Sequence, residues 1–350
     1  MDILLSSNSR GGYSQSLVDL LAKPVGFSHQ FRYALDWIDG GIKNRIGEAT
    51  YHDAQEALIL FVDQKDTTLT PVLFPIRFAK IVGVHELGST VTLTLELGEF
   101  CKTDGLSAFN SAIRALPLAL PDYNDQHIIE GRYWLFGGVG ASSLVEEGGS
   151  LGAWEGVING LSETPNFNDE VPFYRFTELR DSKTAEPVSP MVADGRLSFE
   201  LRAGRKYEIE VYHFHPRKDF PDCTLRLADE DDGIRFLNGS NRVLDTRYDR
   251  IVFRFKTIRK ILGTSTDLSF QRVETGTDKL VWQDFQMGIE IKPSWGWVIA
   301  YIAIVAIGFA APFIVRSYSD PNNNVPVIIA AAIAGLIVGL VTIAKEKLSL

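Results

Sequence analysis

Cysteine is scarce. Cys101 and Cys223 are the only two in 350 residues, which permits one bridge at most and excludes a disulfide-stapled scaffold. Two unpaired thiols point to a reducing compartment. A basic excess is missing as well: 35 Lys and Arg stand against 44 Asp and Glu, a formal charge of −9. Phosphate binding by counterion release needs a basic surface, so no nucleic-acid partner is expected. Low-complexity character is absent too. With 45% hydrophobic residues, 21 Phe, 11 Tyr and 6 Trp, the chain has the apolar material for a real core.

Catalytic signatures are also lacking. Gly149-Ser150-Leu151-Gly152 is one residue short of a nucleophile elbow, and no HExxH is present. His29, His52, His85 and His127 are scattered singly. The stretch GGVGASSLVEEGGSLGAWEGVING is rich in glycine, yet Gly138-x-Gly140-x-x-Ser143 misses the third glycine of a dinucleotide fingerprint and no Walker lysine follows. It reads as a surface loop with a helix near Trp154. No catalytic residue and no cofactor are expected.

His213 and His215 form the one close histidine pair, and on a strand they share a face, as two metal ligands must. Asp222 or Cys223 would supply a third ligand; the competing reading is a pair of histidines at a sheet rim. Asp229 to Asp232 precede Gly233 without EF-hand spacing and read as a solvated turn. Asn238-Gly239-Ser240 matches a glycosylation acceptor, which is idle in a cytosolic domain.

The periodicity is mainly that of strands. Residues 1–165 read as an α+β domain, a small barrel or compact sheet with helices from Ser14 to Ala22 and from Leu106 to Leu116. Glu56 to Val62 and Leu73 to Val84 look buried, while TVTLTLEL from Thr90 alternates strictly and pairs with the latter in a hairpin through Gly88-Ser89. Residues 166–292 carry FYRFTEL, RLSFELR, KYEIEVYHF, TLRLA, IRFL, RIVFRFKTI, DLSFQRV and FQMGIEI, the signature of an antiparallel β-sandwich.

Two long apolar runs complete the chain. Residues 295–315 and 325–344 contain no ionisable side chain, and a hydrocarbon core of about 30 Å takes ~20 apolar residues, so 295–344 reads as a transmembrane helical hairpin. Trp295 and Trp297 lie where interfacial anchors would sit. Ala331, Gly335 and Gly339 form a small-residue ridge, matched by Ala306 and Ala310 in the first run, for packing against each other or another copy. Lys292, Lys345 and Lys347 outnumber Arg316 in the connecting loop, and the N-terminus has no export signal. Both termini, including the tail 345–350, are then expected in the cytoplasm, at the inner (plasma) membrane if the source is bacterial.

These features predict a β-rich binding or sensor module anchored at a lipid bilayer, with self-association or a protein partner through the hairpin and the β-rich domains. The alternatives are an oligomerising effector that perturbs the bilayer when triggered, and a membrane-tethered hydrolase or metal-dependent enzyme at the His213/His215 rim.

Overall fold

The computed structural model describes residues 1–7, 11–46, 55–63, 71–103, 105–116, 118, 132–138, 140–149, 151–162, 173–193, 196–215, 223–258, 263–276, 280–293, 295–319, 329 and 331–338. The fold is mainly β, with several sheets and a few helices.

The N-terminal part contains β1 (Asp2–Ser7), α1 (Gly11–Ala22), β2 (Ser28–Ala34), α2 (Gly40–Lys43), β3 (Gln55–Asp63), β4 (Val72–Leu87), β5 (Thr90–Lys102), α3 (Leu106–Arg114), β6 (Arg132–Phe136), β7 (Glu146–Gly148) and α4 (Leu151–Ser162). Its seven-stranded sheet runs β2-β5-β4-β3-β1-β6, with β7 added beside β5. The expected hairpin is present: Leu87 pairs with Thr90 across a turn in which Gly88 adopts φ +62. Val91, Leu93, Leu95 and Leu97 are buried while Thr92 and Thr94 are half-buried, as strict alternation requires. By contrast β1 is buried at all six positions and runs parallel to β3. A strand covered on both faces has no alternation to read.

Leu17, Val18, Leu20 and Leu21 bury one side of α1. Its final carbonyls have no partner within the helix, and side chains from elsewhere supply one. Arg77 of β4, fully buried, donates from Nη1 to the carbonyls of Leu20 and Lys23 at 2.9 Å each, and from Nε to Gly98 at 3.1 Å. Trp154 of α4 donates its indole N–H to Leu21 at 3.0 Å. The end of α1 is thus tied to both β4 and α4.

The middle part adds β8 (Phe173–Asp181), β9 (Pro190–Ala193), β10 (Arg196–Arg202), β11 (Lys206–Phe214), β12 (Cys223–Asp229), β13 (Ile234–Phe236), β14 (Asn241–Leu244), β15 (Tyr248–Thr257), β16 (Thr264–Glu274) and β17 (Leu280–Lys292). All eight strands read from the sequence are present. With β9 and β14 the ten strands form a six-stranded sheet, β14-β12-β16-β17-β10-β9, and a four-stranded one, β13-β15-β11-β8. The sheets face each other through aromatic contacts, Tyr174 stacked on Phe270 at 6.1 Å and Phe176 against Phe199 at 5.9 Å. The pairing is not wholly antiparallel, because β10 and β17 run parallel. Phe27, just before β2, reaches Phe176 at 6.0 Å and Phe285 at 5.7 Å, so one apolar core continues from the first sheet into the sandwich.

At the C-terminal end, α5 (Trp295–Ser319) follows β17 directly, and Ile329 and 331–338 are helical. Among the described residues no helix is long and apolar enough to cross a membrane. The two-span integral-membrane placement, with its cytoplasmic termini, is therefore corrected, and no support for a bilayer partner remains. The physical reason is that an apolar run describes cover by protein as well as by lipid. Ala310, Ala331 and Gly335 are buried and Ala306 is half-buried, so the small residues face protein, while Ile299, Ile304 and Ile307 are exposed. The side chains of Trp295 and Trp297, and Gly339, lie outside the described residues, as does most of 325–344.

Candidate functional site

Among the described residues a cavity of about 420 Å³ opens between α4 and the strands β4 and β5. Phe74 and Pro75 line one wall, Cys101, Lys102 and Thr103 another, and Leu106 of α3 the rim. The opposing wall is α4, which presents Gly152, Gly156 and Gly160, one per turn, with Ala153 and Val157 beside them. A separate cavity of about 380 Å³ also touches Leu106 and runs along α3 past Asn110 and Ser111 to Arg114.

Local chemistry explains the shape. Apolar residues at helical spacing, Trp154, Ile158 and Leu161, turn one side of α4 into the core, where all three are fully buried. The three glycines fall on the other side. A β-carbon on Gly156 would meet nothing within 4 Å, whereas on Gly160 it would touch the Phe74 ring at 3.8 Å. The helix is held in place by Gly148 at the end of β7: a β-carbon there would lie 2.3 Å from that of Ala153, so only glycine permits the approach. On the rim of α3, the Asn110 amide accepts from the Leu73 N–H at 2.8 Å and donates to the Leu73 carbonyl at 2.9 Å, completing the pairing of the start of β4.

Burial pushes the Cys101 thiol up, which suppresses the thiolate that nucleophilic attack requires. Lys102 sits 3.8 Å from Glu146, with both side chains mostly in solvent, and a pair of that kind holds neither partner firmly. On the far side of α4, Glu155 accepts a hydrogen bond from the Tyr212 hydroxyl at 2.6 Å; burial, then Glu155, carries that phenol up to about 12.

A second constellation matches no linear sequence motif. Ser16 and Asp19 on one side of α1, with Lys23 just past its end, surround His29 of β2. Ser16 Oγ is 3.1 Å from His29 Nε2, and Asp19 Oδ2 is 3.4 Å from His29 Nδ1, an outline like that of a serine-histidine-aspartate triad. Lys23 defeats it. Its Nζ, which can only donate, lies nearer to Nδ1 at 3.1 Å, so Nδ1 accepts and the ring proton sits on Nε2, aimed at Ser16. A nucleophilic serine needs the opposite tautomer. Burial, then Lys23, also lowers His29 to about 4, which makes it a poor base at neutral pH. The cluster fastens α1 to β2.

His213 and His215 are both buried. The His213 ring nitrogens lie 2.9 Å from the carbonyls of Phe173 and Thr246, burial lowers its pKa, and the single N–H of the neutral ring donates to one of the two carbonyls. The Cys223 thiol points at the carbonyls of Thr224 and Val273, and Asp222 lies outside the described residues. No group of three metal-ligating side chains occurs among the described residues. The acidic turn is structural: Asp229 accepts from the Ile234 N–H at 2.7 Å, and Glu230 from Ser269 at 2.8 Å.

No family model and no curated protein matches the sequence. Among solved structures the chain is similar to WR4, a C. elegans MSP family member, at 6% identity over 27% of this chain and 92% of that one, with a TM-score of 0.20. It is similar to the N-terminal domain of PorA at 9% identity over 33% of this chain and 96% of that one, with a TM-score of 0.21. SSP-19, an MSP-domain protein like family member in Caenorhabditis elegans, is 8% identical over 28% of this chain and 92% of that one, with a TM-score of 0.20. Likenesses of this size carry no functional content.

Proposed function

We propose that this chain is a binding module whose recognition site is the groove between α4, β4, β5 and the rim of α3, and whose occupant is a small, largely apolar molecule. The observation that supports this most is the glycine wall: three glycines in register on one side of a helix, opposite Phe74 and Pro75, around a volume in the ordinary range for small-molecule sites. Glycine is the least favourable non-proline residue for a helix interior, so three of them disfavour the helix unless the space they leave is used. The sandwich serves as the scaffold that α4 is pressed against.

The reading is tested by thermal unfolding of the full chain with a panel of small apolar compounds, for the native sequence and for Gly156→Leu, whose side chain enters open space in the groove. A compound that binds the native state raises Tm through linkage. The expected result is a shift for the native sequence that Gly156→Leu loses. Equal shifts in both proteins, or none in the native one, would overturn it.

A further inference from the structure

Building on the groove reading, we infer that the occupant is an anionic amphiphile: a slender or flat apolar body bearing one acidic group, with the apolar end against Phe74 and Gly160 and the acidic group beside Lys102 and Thr103.

Two independent features point there. The first is the taper of the slot. At Gly160 an added methyl would already rest on the Phe74 ring at 3.8–3.9 Å, whereas at Gly156 nothing lies within 4 Å, so the space is wider at Gly156 than at Gly160. An apolar end fits the narrow part and a bulkier polar group the wide part. The second is charge. The chain carries −9 overall, yet among the described residues Lys102 is the single charged one lining the first cavity and Arg114 the single one lining the second. Both are cations. In a molecule with more acids than bases, two neighbouring cavities whose described lining residues include cations and no carboxylate are suited to an anion, although Glu146 stands close to Lys102, and the first turn of α4 at Gly152 adds potential of the same sign. Lys102 is available to turn inward because its contact with Glu146 is long and solvated. Thr103 adds a hydroxyl at the same end.

The discriminating experiment uses two fluorescent probes with the same ring system, anilinonaphthalene sulfonate, which is anionic, and phenylnaphthylamine, which is neutral. Each is titrated into the full chain and into Lys102→Gln and Gly156→Leu. The sulfonate is expected to bind once in the groove and more tightly than the neutral probe. Lys102→Gln should raise its Kd about fivefold, the factor that roughly 1 kcal/mol from a partly exposed charge contact corresponds to, and leave the neutral probe unchanged. Gly156→Leu should remove groove binding of both; Gly156→Met is the second blocking variant if the leucine protein melts early. Equal affinity for the two probes, or no effect of Lys102→Gln, would sink the anionic assignment while leaving the groove intact. Unchanged binding of both probes to the blocked variants would sink the groove reading itself, and failure of both probes to bind the native chain would count against both.

Discussion

Along α4, Trp154, Ile158 and Leu161 are fully buried, while on the other side Gly152, Gly156 and Gly160 present bare backbone to a cavity. The first side is what a helix needs in order to fold against its neighbours. Trp154 alone bonds α1 through Leu21 and meets Tyr212 at 5.9 Å and Phe214 at 6.3 Å on β11. The second side works against helix stability and gains no packing in return. The contrast sets residues that pack the fold against residues that leave space open, and it is the main support for the proposed function.

The comparison is broken most severely from the buried side. Trp154→Ala should destabilise the chain by about 3–5 kcal/mol, since it opens a large void and strips the Leu21 carbonyl of its donor; urea unfolding with the far-UV signal as readout checks this. Next in size is a pH effect at the His29 cluster. His29 is held neutral in the fold, with its pKa lowered from 6.5 to about 4, and is 5% exposed. The unfolded chain takes up a proton near 6.5 that the folded chain refuses until about pH 4. Stability is therefore complete above 6.5 and falls through that window on acidification. The loss is at most about 3 kcal/mol from this residue. The charged groups that face His29 are Asp19, Lys23 and Arg132, and Asp19, itself lowered, adds a further loss below its usual range. Unfolding free energies at pH 7.5 and 4.5 should differ by clearly less in His29→Gln than in the native chain.

Smaller effects sharpen the same contrast by comparing two glycines eight residues apart. Gly148→Ala forces a methyl against Ala153 and should cost about 1–3 kcal/mol. Gly156→Ala places a methyl in empty space and replaces glycine inside a helix, so it should stabilise by about 0.5–1 kcal/mol. Opposite signs from the same substitution, measured by Tm, mark which glycine serves packing and which serves the groove.

Much of the fold was legible because its strands are covered on one face. The β4–β5 hairpin and the eight sandwich strands announce themselves by alternation, with Thr92 and Thr94 half-buried between buried Val91, Leu93 and Leu95. β1 was invisible because it is covered on both faces, and β14 and β9 because four residues hold too little pattern. The apolar runs misled for a related reason: composition alone does not distinguish protein from lipid as cover, and Ala310, Ala331 and Gly335 are buried against protein. The groove had a signal that was set against the wrong template. Gly152, Gly156 and Gly160 stand out once the stretch is read at helical period with Trp154, Ile158 and Leu161 between them, but they fit no phosphate loop. Its other wall, Phe74, Pro75 and Lys102, is brought close by β pairing that no local pattern encodes.

The most direct measurement is a crystal structure of the full chain with anilinonaphthalene sulfonate. The account places the naphthalene ring between Phe74 and the glycine side of α4, with the sulfonate toward Lys102. Density found instead on the exposed Ile299, Ile304 and Ile307 of α5, or on Leu237, Val243 and Tyr248 at the sandwich edge, with the groove empty, would contradict it.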